Sequence, residues 1–273
     1  MTSRSTSSHS TWRIGEMKTI QRGTRGEDVK AIQRALGIEE DGIFWIKTED
    51  AVKEYQRTHG LVADGIVGDK TWARMFGDVE ISKGYIYTHI TYCPNRLIKY
   101  IAIHYTAGST SKRGTALNTR NVFLSRKASA DFVVDDEAIV QINPDIRNYY
   151  CWAVGDRKNT GSGGGQLHLT ATNRNTISIE ICSNLKKGFS AAVANHAGWY
   201  YTEEAKGNAM RLVRSLMRQY DIPKENVVRH YDITGKLCPG VVGWNNARIY
   251  GNDGKPTAVQ NNSLEWERFK ERI

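Results

Sequence analysis

The stretch Val227-Val228-Arg229-His230-Tyr231-Asp232-Ile233-Thr234-Gly235-Lys236-Leu237-Cys238-Pro239 places a histidine, a lysine and a cysteine within nine residues. Two β-branched residues lead into His230, so the pattern predicts a buried strand over 226–231 that ends near this histidine. Thr234 and Gly235 mark a loop that brings Cys238 back toward it, and Pro239 fixes the backbone just after the cysteine. An imidazole nitrogen and a thiolate sulfur held by a rigid loop are typical zinc ligands. The pair by itself does not separate a ligand set from chance, and the rest of the chain has to decide.

Outward from this stretch the pattern alternates between strands and helices. Tyr100-Ile101-Ala102-Ile103-His104-Tyr105 is β-rich and ends close to His104. Thr115–Ser125 reads as a helix, 130–134 and 138–142 as two strands, and 176–182 as a further strand. Residues 203–220 form the longest predicted helix, with Thr202 as its N-cap, and a last helix lies near 264–272. Alternation of this kind predicts an α/β fold with a central mixed sheet flanked by helices. The Gly-rich loop 159–166 lacks the GxxxxGK[ST] pattern of a phosphate cradle.

His104 and His230 both end predicted strands, and with Cys238 they make a three-ligand set. Three protein ligands leave a fourth zinc position open, which is the catalytic arrangement. Glu180 stands between Ile179 and Ile181. Strand alternation turns it away from both, either into a cleft, into a buried ion pair or toward solvent. Tyr149, Tyr150 and Trp152 are either groove-lining or core aromatics. His9, His59, His89, His168 and His196 read as surface or tail residues. The four cysteines, Cys93, Cys151, Cys182 and Cys238, form no CxxC pair and read as reduced thiols. Cys182 reads as a small buried apolar residue, and a thiol hydrolase using Cys182 or Cys151 is the reading that competes with zinc.

Residues 17–77 contain a repeat. Gly37-Ile38-Glu39-Glu40-Asp41-Gly42-Ile43 aligns with Gly60-Leu61-Val62-Ala63-Asp64-Gly65-Ile66, and Lys47-Thr48 with Lys70-Thr71, at one constant offset. Each Asp-Gly marks a turn, each Thr is expected to cap the helix that follows, and Gly60 is expected to end a helix. The apolar spacing of Val29, Ile32 and Leu36, then of Ala51, Val52 and Tyr55, then of Trp72, Met75 and Phe76 predicts three short helices. This segment resembles the peptidoglycan-binding domain that accompanies wall hydrolases, through Arg25–Gln33, Asp41–Phe44, Thr48–Val52, Tyr55-Gln56 and Asp64–Gly68. Trp45 stands where that family usually has Gly, as a sugar-stacking platform or as a packed loop residue.

Net charge is +9, and residues 79–273 hold all of the excess, with 26 Lys/Arg against 17 Asp/Glu. A basic domain suits an anionic partner such as an envelope polymer. No basic run or zinc-finger spacing supports nucleic acid, and no apolar run is long enough for a membrane span. Residues 1–16 read as a flexible tail without the apolar segment of a signal peptide.

The second part, residues 78–273, resembles the zinc-dependent type 2 N-acetylmuramoyl-L-alanine amidases, a family that includes phage endolysins and shares its fold with peptidoglycan recognition proteins. Ile103–Gly108, Ser129–Asp135, Trp152–Asp156, Asn175–Cys182 and His230–Pro239 carry the likeness. The resemblance implies zinc ligands His104, His230 and Cys238, Glu180 as catalytic carboxylate, and Lys236 as a cation near the reacting carbonyl. Beside the resemblance, Tyr149, Tyr150 and Trp152 stand either as a groove for sugar and peptide, with Tyr150 and Trp152 as substrate contacts, or as core aromatics. Many relatives have His where this chain has Asp131 and Ala153. The implied function is cleavage of the amide between N-acetylmuramic acid and L-alanine in bacterial peptidoglycan. The expected setting is a monomeric phage or prophage endolysin made in the host cytoplasm and acting on the wall after release. A peptidoglycan recognition protein that binds without cutting is the alternative; its non-catalytic members typically lack the cysteine ligand.

Overall fold

The computed structural model describes residues 12–13, 19–76, 80–108, 115–159, 161–189 and 193–273. The chain divides into two compact units, the first holding residues 13–79 and 214–223 and the second the remainder.

In the first unit, helices α1 (Glu27–Leu36), α2 (Ile46–Thr58) and α3 (Asp69–Phe76) close on a core of Ile20, Val29, Ile32, Phe44, Val52, Val67 and Trp72. The repeat has a physical basis in two identical turns. Gln33 Nε2 donates to Asp41 Oδ1, the Ile43 carbonyl and Thr48 Oγ1, while its Oε1 accepts from the Gly42 N–H. Gln56 does the same with Asp64, Ile66, Thr71 and Gly65. Each Asp also accepts from the N–H two residues on. A buried amide on one helix thus ties the next turn shut. Thr48 and Thr71 are therefore not caps, as their positions suggested. They lie inside α2 and α3, almost fully buried, because their hydroxyls serve the glutamine. Gly37 and Gly60 end α1 and α2 in left-handed conformation, as expected for Gly60. Trp45 is 58% exposed, which removes the packed reading.

The second unit is built on one seven-stranded mixed sheet. Its strands are β1 (Trp12–Arg13), β2 (Glu80–Lys83), β4 (Tyr100–Tyr105), β5 (Phe132–Val134), β6 (Ile139–Gln141), β8 (Thr176–Ile181) and β11 (Val227–Arg229), in the order β1-β2-β6-β5-β8-β4-β11. Strands β5, β8, β4 and β11 run parallel, and β5 and β6 antiparallel. Residues 12–13, read as tail from the sequence, form an edge strand, and β2 was not foreseen; the rest of 1–16 lies outside the described residues except as stated above. A ribbon of β3 (Ile90–Tyr92) and β7 (Tyr149–Cys151), and the pairs β9 (Asn184–Leu185) with β10 (Trp199–Tyr200) and β12 (Arg248–Tyr250) with β13 (Pro256–Gln260), complete the strands among the described residues.

Alternation gives the central strands two distinct faces. Ile101, Ile103, Ile177, Ile179 and Ile181 point one way and are fully buried. On the other face Ala102 and Val228 pack with Val154, Ala171 and Ile233. Farther across the sheet, Val133, Val140 and Cys182 pack with Ala116 and Phe123 of helix α4 (Thr115–Ser125). Helix α5 (Glu203–Tyr220) starts at Thr202, whose Oγ1 accepts from the Ala205 N–H at 3.2 Å, the predicted cap. The chain ends in α7 (Leu264–Glu271). No helix among the described residues is long and apolar enough to cross a membrane.

Candidate functional site

Strand register sets the site. His104 on β4 is level with Glu180 on β8, and Arg229 on β11 is level with Ile103, so His230 follows beside His104. Three chemically active side chains therefore stand in a row, on one face, at the carboxyl ends of three adjacent parallel strands. Open parallel sheets bind their ligands at that end. His230 is not a strand residue, as its sequence setting suggested: it opens the one-turn helix α6 (His230–Thr234). That helix ends at Gly235, whose φ is +80° and whose absent side chain leaves room for the Asn159 carbonyl; a Cβ there would meet it at 2.4 Å. The turn sends Lys236 outward and Cys238 back beneath the histidines, where the Cys238–Pro239 bond is cis.

The rings of His104 and His230 lie 4.7 Å apart, and Cys238 Sγ is 3.7 Å from His104 Nδ1. One ligand atom from each of the three residues falls within 4.8 Å of the others, and all three residues are buried. His104 Nε2 and His230 Nδ1 have no hydrogen-bond partner there. Burial, reinforced by the neighbouring His230 and Lys236, holds His104 well below the usual histidine range. Burial and Lys236 bring His230 down to about 3. Burial pushes the Cys238 thiol up to about 12, with Glu180 adding to the rise and Lys236 and the Tyr105 backbone N–H opposing it. Both imidazoles are thus neutral at pH 7, and a nitrogen from each converges with the Cys238 sulfur, whose contact is His104 Nδ1. Orphaned buried donor atoms are costly, and a divalent cation is the partner that suits two imidazoles and a thiolate. The residues present fit such an ion.

Glu180 is half-buried as a residue, but its Oε2 is shielded from solvent and unpartnered. Burial lifts its pKa to about 8, and Lys236 pulls it back down. Among the described residues no ion pair is formed at this carboxylate, and its shielded Oε2 accepts no hydrogen bond. Lys236 itself is exposed, close enough for its charge to act on Glu180, His104, His230 and Cys238 alike.

Other expectations fare differently. Tyr150 and Trp152 are not brought to this row. The Trp152 backbone pairs with Ser129, and the next residues bond to Asn173, at the start of β8 rather than its end. From Thr176 to Glu180 the strand rises about 13 Å. Trp152 is exposed and donates its indole N–H to Thr91, and Arg174 stands over the Tyr150 ring. His196, read as a surface residue, is fully buried; its Nδ1 accepts from the Gly198 N–H and its Nε2 is unpartnered. Cys182 is buried as expected, and burial together with Asp135 raises its thiol far above the ordinary range. Cys151 is raised by burial and Asp131. Neither is an activated thiol.

The Gly-rich loop has a role its composition did not reveal. Asn159, Gly165 and Leu167 donate backbone N–H bonds to the carbonyls of Thr234, Tyr231 and Asp232, which straps the loop along α6. A Cβ at Gly164 would meet the Tyr231 carbonyl at 2.4 Å, so only glycine allows this approach.

Comparison with known proteins bears on this geometry. Residues 94–241, more than half of the chain and the whole of the His104–Glu180–His230–Cys238 set, match the model of the N-acetylmuramoyl-L-alanine amidase family. The chain belongs to this family. Residues 25–75 match a peptidoglycan binding domain. The chain is 33% identical over 141 residues to the N-acetylmuramoyl-L-alanine amidase CwlH of Bacillus subtilis (strain 168), an alignment that takes in 51% of this chain and 46% of that one. To the amidase XlyA of the same organism it is 34% identical over 143 residues, covering 51% of this chain and 39% of that one. A solved structure of a mutant endolysin from Bacillus subtilis is 27% identical, covers 71% of this chain and 99% of that chain, and superimposes with a TM-score of 0.45. The chain spans less than half the length of these two curated amidases.

Proposed function

We propose that this protein is a zinc-dependent amidase that hydrolyses the bond between the lactyl group of N-acetylmuramic acid and the L-alanine of the peptidoglycan stem. The observation that carries the reading is the convergence of His104, His230 and Cys238 beside the shielded oxygen of Glu180, on a chain of the amidase family. His104, His230 and Cys238 would hold the metal. When bound, zinc supplies Lewis-acid polarisation of the amide carbonyl and makes water available as a nucleophile near neutral pH. Glu180 Oε2 takes the proton of the attacking water and delivers it to the leaving amine of L-alanine. Its lack of a hydrogen-bond partner leaves that oxygen ready to do so. Lys236 Nζ, on an exposed stem, stabilises negative charge developing on the carbonyl oxygen.

In this reading residues 17–77 tether the chain to the wall, and the exposed Trp45 offers an aromatic face to its sugars. Residues 78–273 are the catalytic part, whose positive excess favours approach to an anionic envelope. The setting we propose is a monomeric phage or prophage endolysin, made in the host cytoplasm and active on the wall after release.

The test is mass spectrometry of purified sacculi after digestion, with and without a chelator. We expect new L-alanine amino termini, lost on chelation and restored by added zinc. Binding to sacculi with no new termini would replace this reading with a non-catalytic recognition protein. Activity that survives chelation and dies with alkylation would replace it with a thiol hydrolase.

A further inference from the structure

We propose that Arg229 and Asp232 are positioning residues for the metal, a clamp that fixes the short helix on which His230 is mounted; the inference rests on the zinc reading above. Helix α6 has only five residues, too few to hold its own shape by backbone bonding alone. No side chain of the Ser/Thr type caps it. Asp232, at its third position, instead reaches back, and its Oδ2 accepts the Arg229 backbone N–H at 2.8 Å. The Arg229 guanidinium then grips the same carboxylate with two donors, Nε to Oδ2 at 2.9 Å and Nη2 to Oδ1 at 2.5 Å.

The far side of the guanidinium is anchored as well. Nη1 donates to the Trp244 carbonyl at 2.8 Å and to Ser263 Oγ at 2.9 Å. The plane stands over the rings of Tyr231 and Trp266 at 5.1 and 5.2 Å. The two side chains are only 10% and 19% exposed, so this is not a screened surface pair. His230 sits between the two clamp residues, and its Nδ1 bonds to no protein atom. Apart from its edge contact with the His104 ring, the direction of its ring therefore follows the backbone of α6; Arg229 and Asp232 fix the start of that backbone, and the strap of residues 159–167 holds its carbonyls. The planar fork of arginine is required here, because an ammonium cannot meet one carboxylate twice and two further acceptors at once.

The readout is zinc affinity, measured by competition with a chelating dye on the full chain at a temperature where each variant keeps its native circular dichroism. Asp232→Asn and Arg229→Met should each weaken zinc binding by about 10–100-fold, the usual effect of removing a group that orients a metal ligand. Arg229→Lys should show the same loss despite its retained charge. The double variant should lose little more than the worse single one, because the two residues act as a unit. Should Asp232→Asn fail to fold, Arg229→Lys carries the test alone. A lower melting temperature of the metal-free protein with unchanged zinc affinity would overturn the clamp and leave the pair a purely structural one; so would additive losses. A wild-type chain that binds no zinc would instead sink the metal reading, and the clamp's purpose with it.

Discussion

Residues 19–76 and the row of His104, Glu180 and His230 treat buried polar groups in opposite ways. In residues 19–76 two glutamines are buried, Gln33 and Gln56, and each meets four partners in the same pattern. Among the described residues of this stretch no buried side-chain polar atom lacks a partner. Around β4, β8 and α6 the reverse holds: His104 Nε2, Glu180 Oε2 and His230 Nδ1 are all buried and unpartnered. A buried polar group left unmade costs about 1–3 kcal/mol. The first unit uses its polar groups to specify turns. The second unit also satisfies buried polar groups away from the site, as at Arg229 and Asp131, and leaves them open in the row of His104, Glu180 and His230, where a metal and a substrate are expected.

If that contrast is correct, replacing an open group should damage chemistry and spare the fold. The largest effect should come from Glu180→Gln. Removing a general base costs about 10²–10⁴-fold in turnover, while the melting temperature should hold, since burial already lifts Glu180 to about 8 and the amide replaces a mostly protonated carboxyl of the same shape. Release of L-alanine amino termini against a thermal melt measures both. Full activity in this variant would remove Glu180 from the mechanism.

The metal ligands make a narrower prediction. Cys238 is held up to about 12 by burial, and His230 is already neutral, held at about 3. Zinc takes the thiolate form of cysteine and the neutral form of histidine. Binding should then expel one proton, from Cys238, and none from the imidazoles. Affinity should rise with pH, about tenfold per unit between pH 6 and 8, since one pH unit against one proton is worth about 1.4 kcal/mol. A slope near zero would show that Cys238 is already a thiolate in the metal-free protein, which contradicts the protonated, buried thiol described above.

Much of this was legible in the sequence, and the misses have a common cause. Apolar periodicity sufficed for α5, and alternation for β4 and β8, because their faces are buried along their length. Strand ends singled out His104 and His230, with Cys238, as a set, and the resemblance to the amidases added Glu180. What periodicity could not show was long-range hydrogen bonding. Thr48 looks like a cap in isolation, yet its partner is Gln33, fifteen residues away. The strand predicted over 226–231 stops at Arg229 because Asp232 takes the Arg229 N–H and starts a helical turn. Tyr150 and Trp152 lie near the site in the motif order but at the opposite end of β8 in space, and only the register reveals that.

A smaller effect tests the closed half of the comparison. Gln33→Leu keeps the volume but strands the Gly42 N–H and removes the donor shared by Asp41, Ile43 and Thr48. The expected loss is about 1–3 kcal/mol of stability, with turnover of a small soluble muropeptide unchanged. Amide hydrogen exchange should accelerate at Gly42 and stay slow at Gly65. Gln56→Leu should give the mirror result, because its partners stand in the same relation. Equal loss of protection at both glycines from either change would mean that the two turns are one cooperative element rather than two copies.

The smallest effect separates the two roles open to Thr48. A capping threonine would hold the first free N–H groups of α2, and its replacement would fray that helix from its start. A threonine that completes the Gln33 cluster holds a side-chain amide instead. Thr48→Val preserves the branched shape and removes only the oxygen, so about 1 kcal/mol should be lost. The loss of protection should appear at Gly42 and Ile43, while the amides at the start of α2 stay as protected as before. The same substitution at Thr71 should shift Gly65 and Ile66 in the same way, since its hydroxyl meets Gln56 at the same 3.0 Å. Fraying at the start of either helix would restore the cap and break the equivalence on which the contrast with the row of His104, Glu180 and His230 depends.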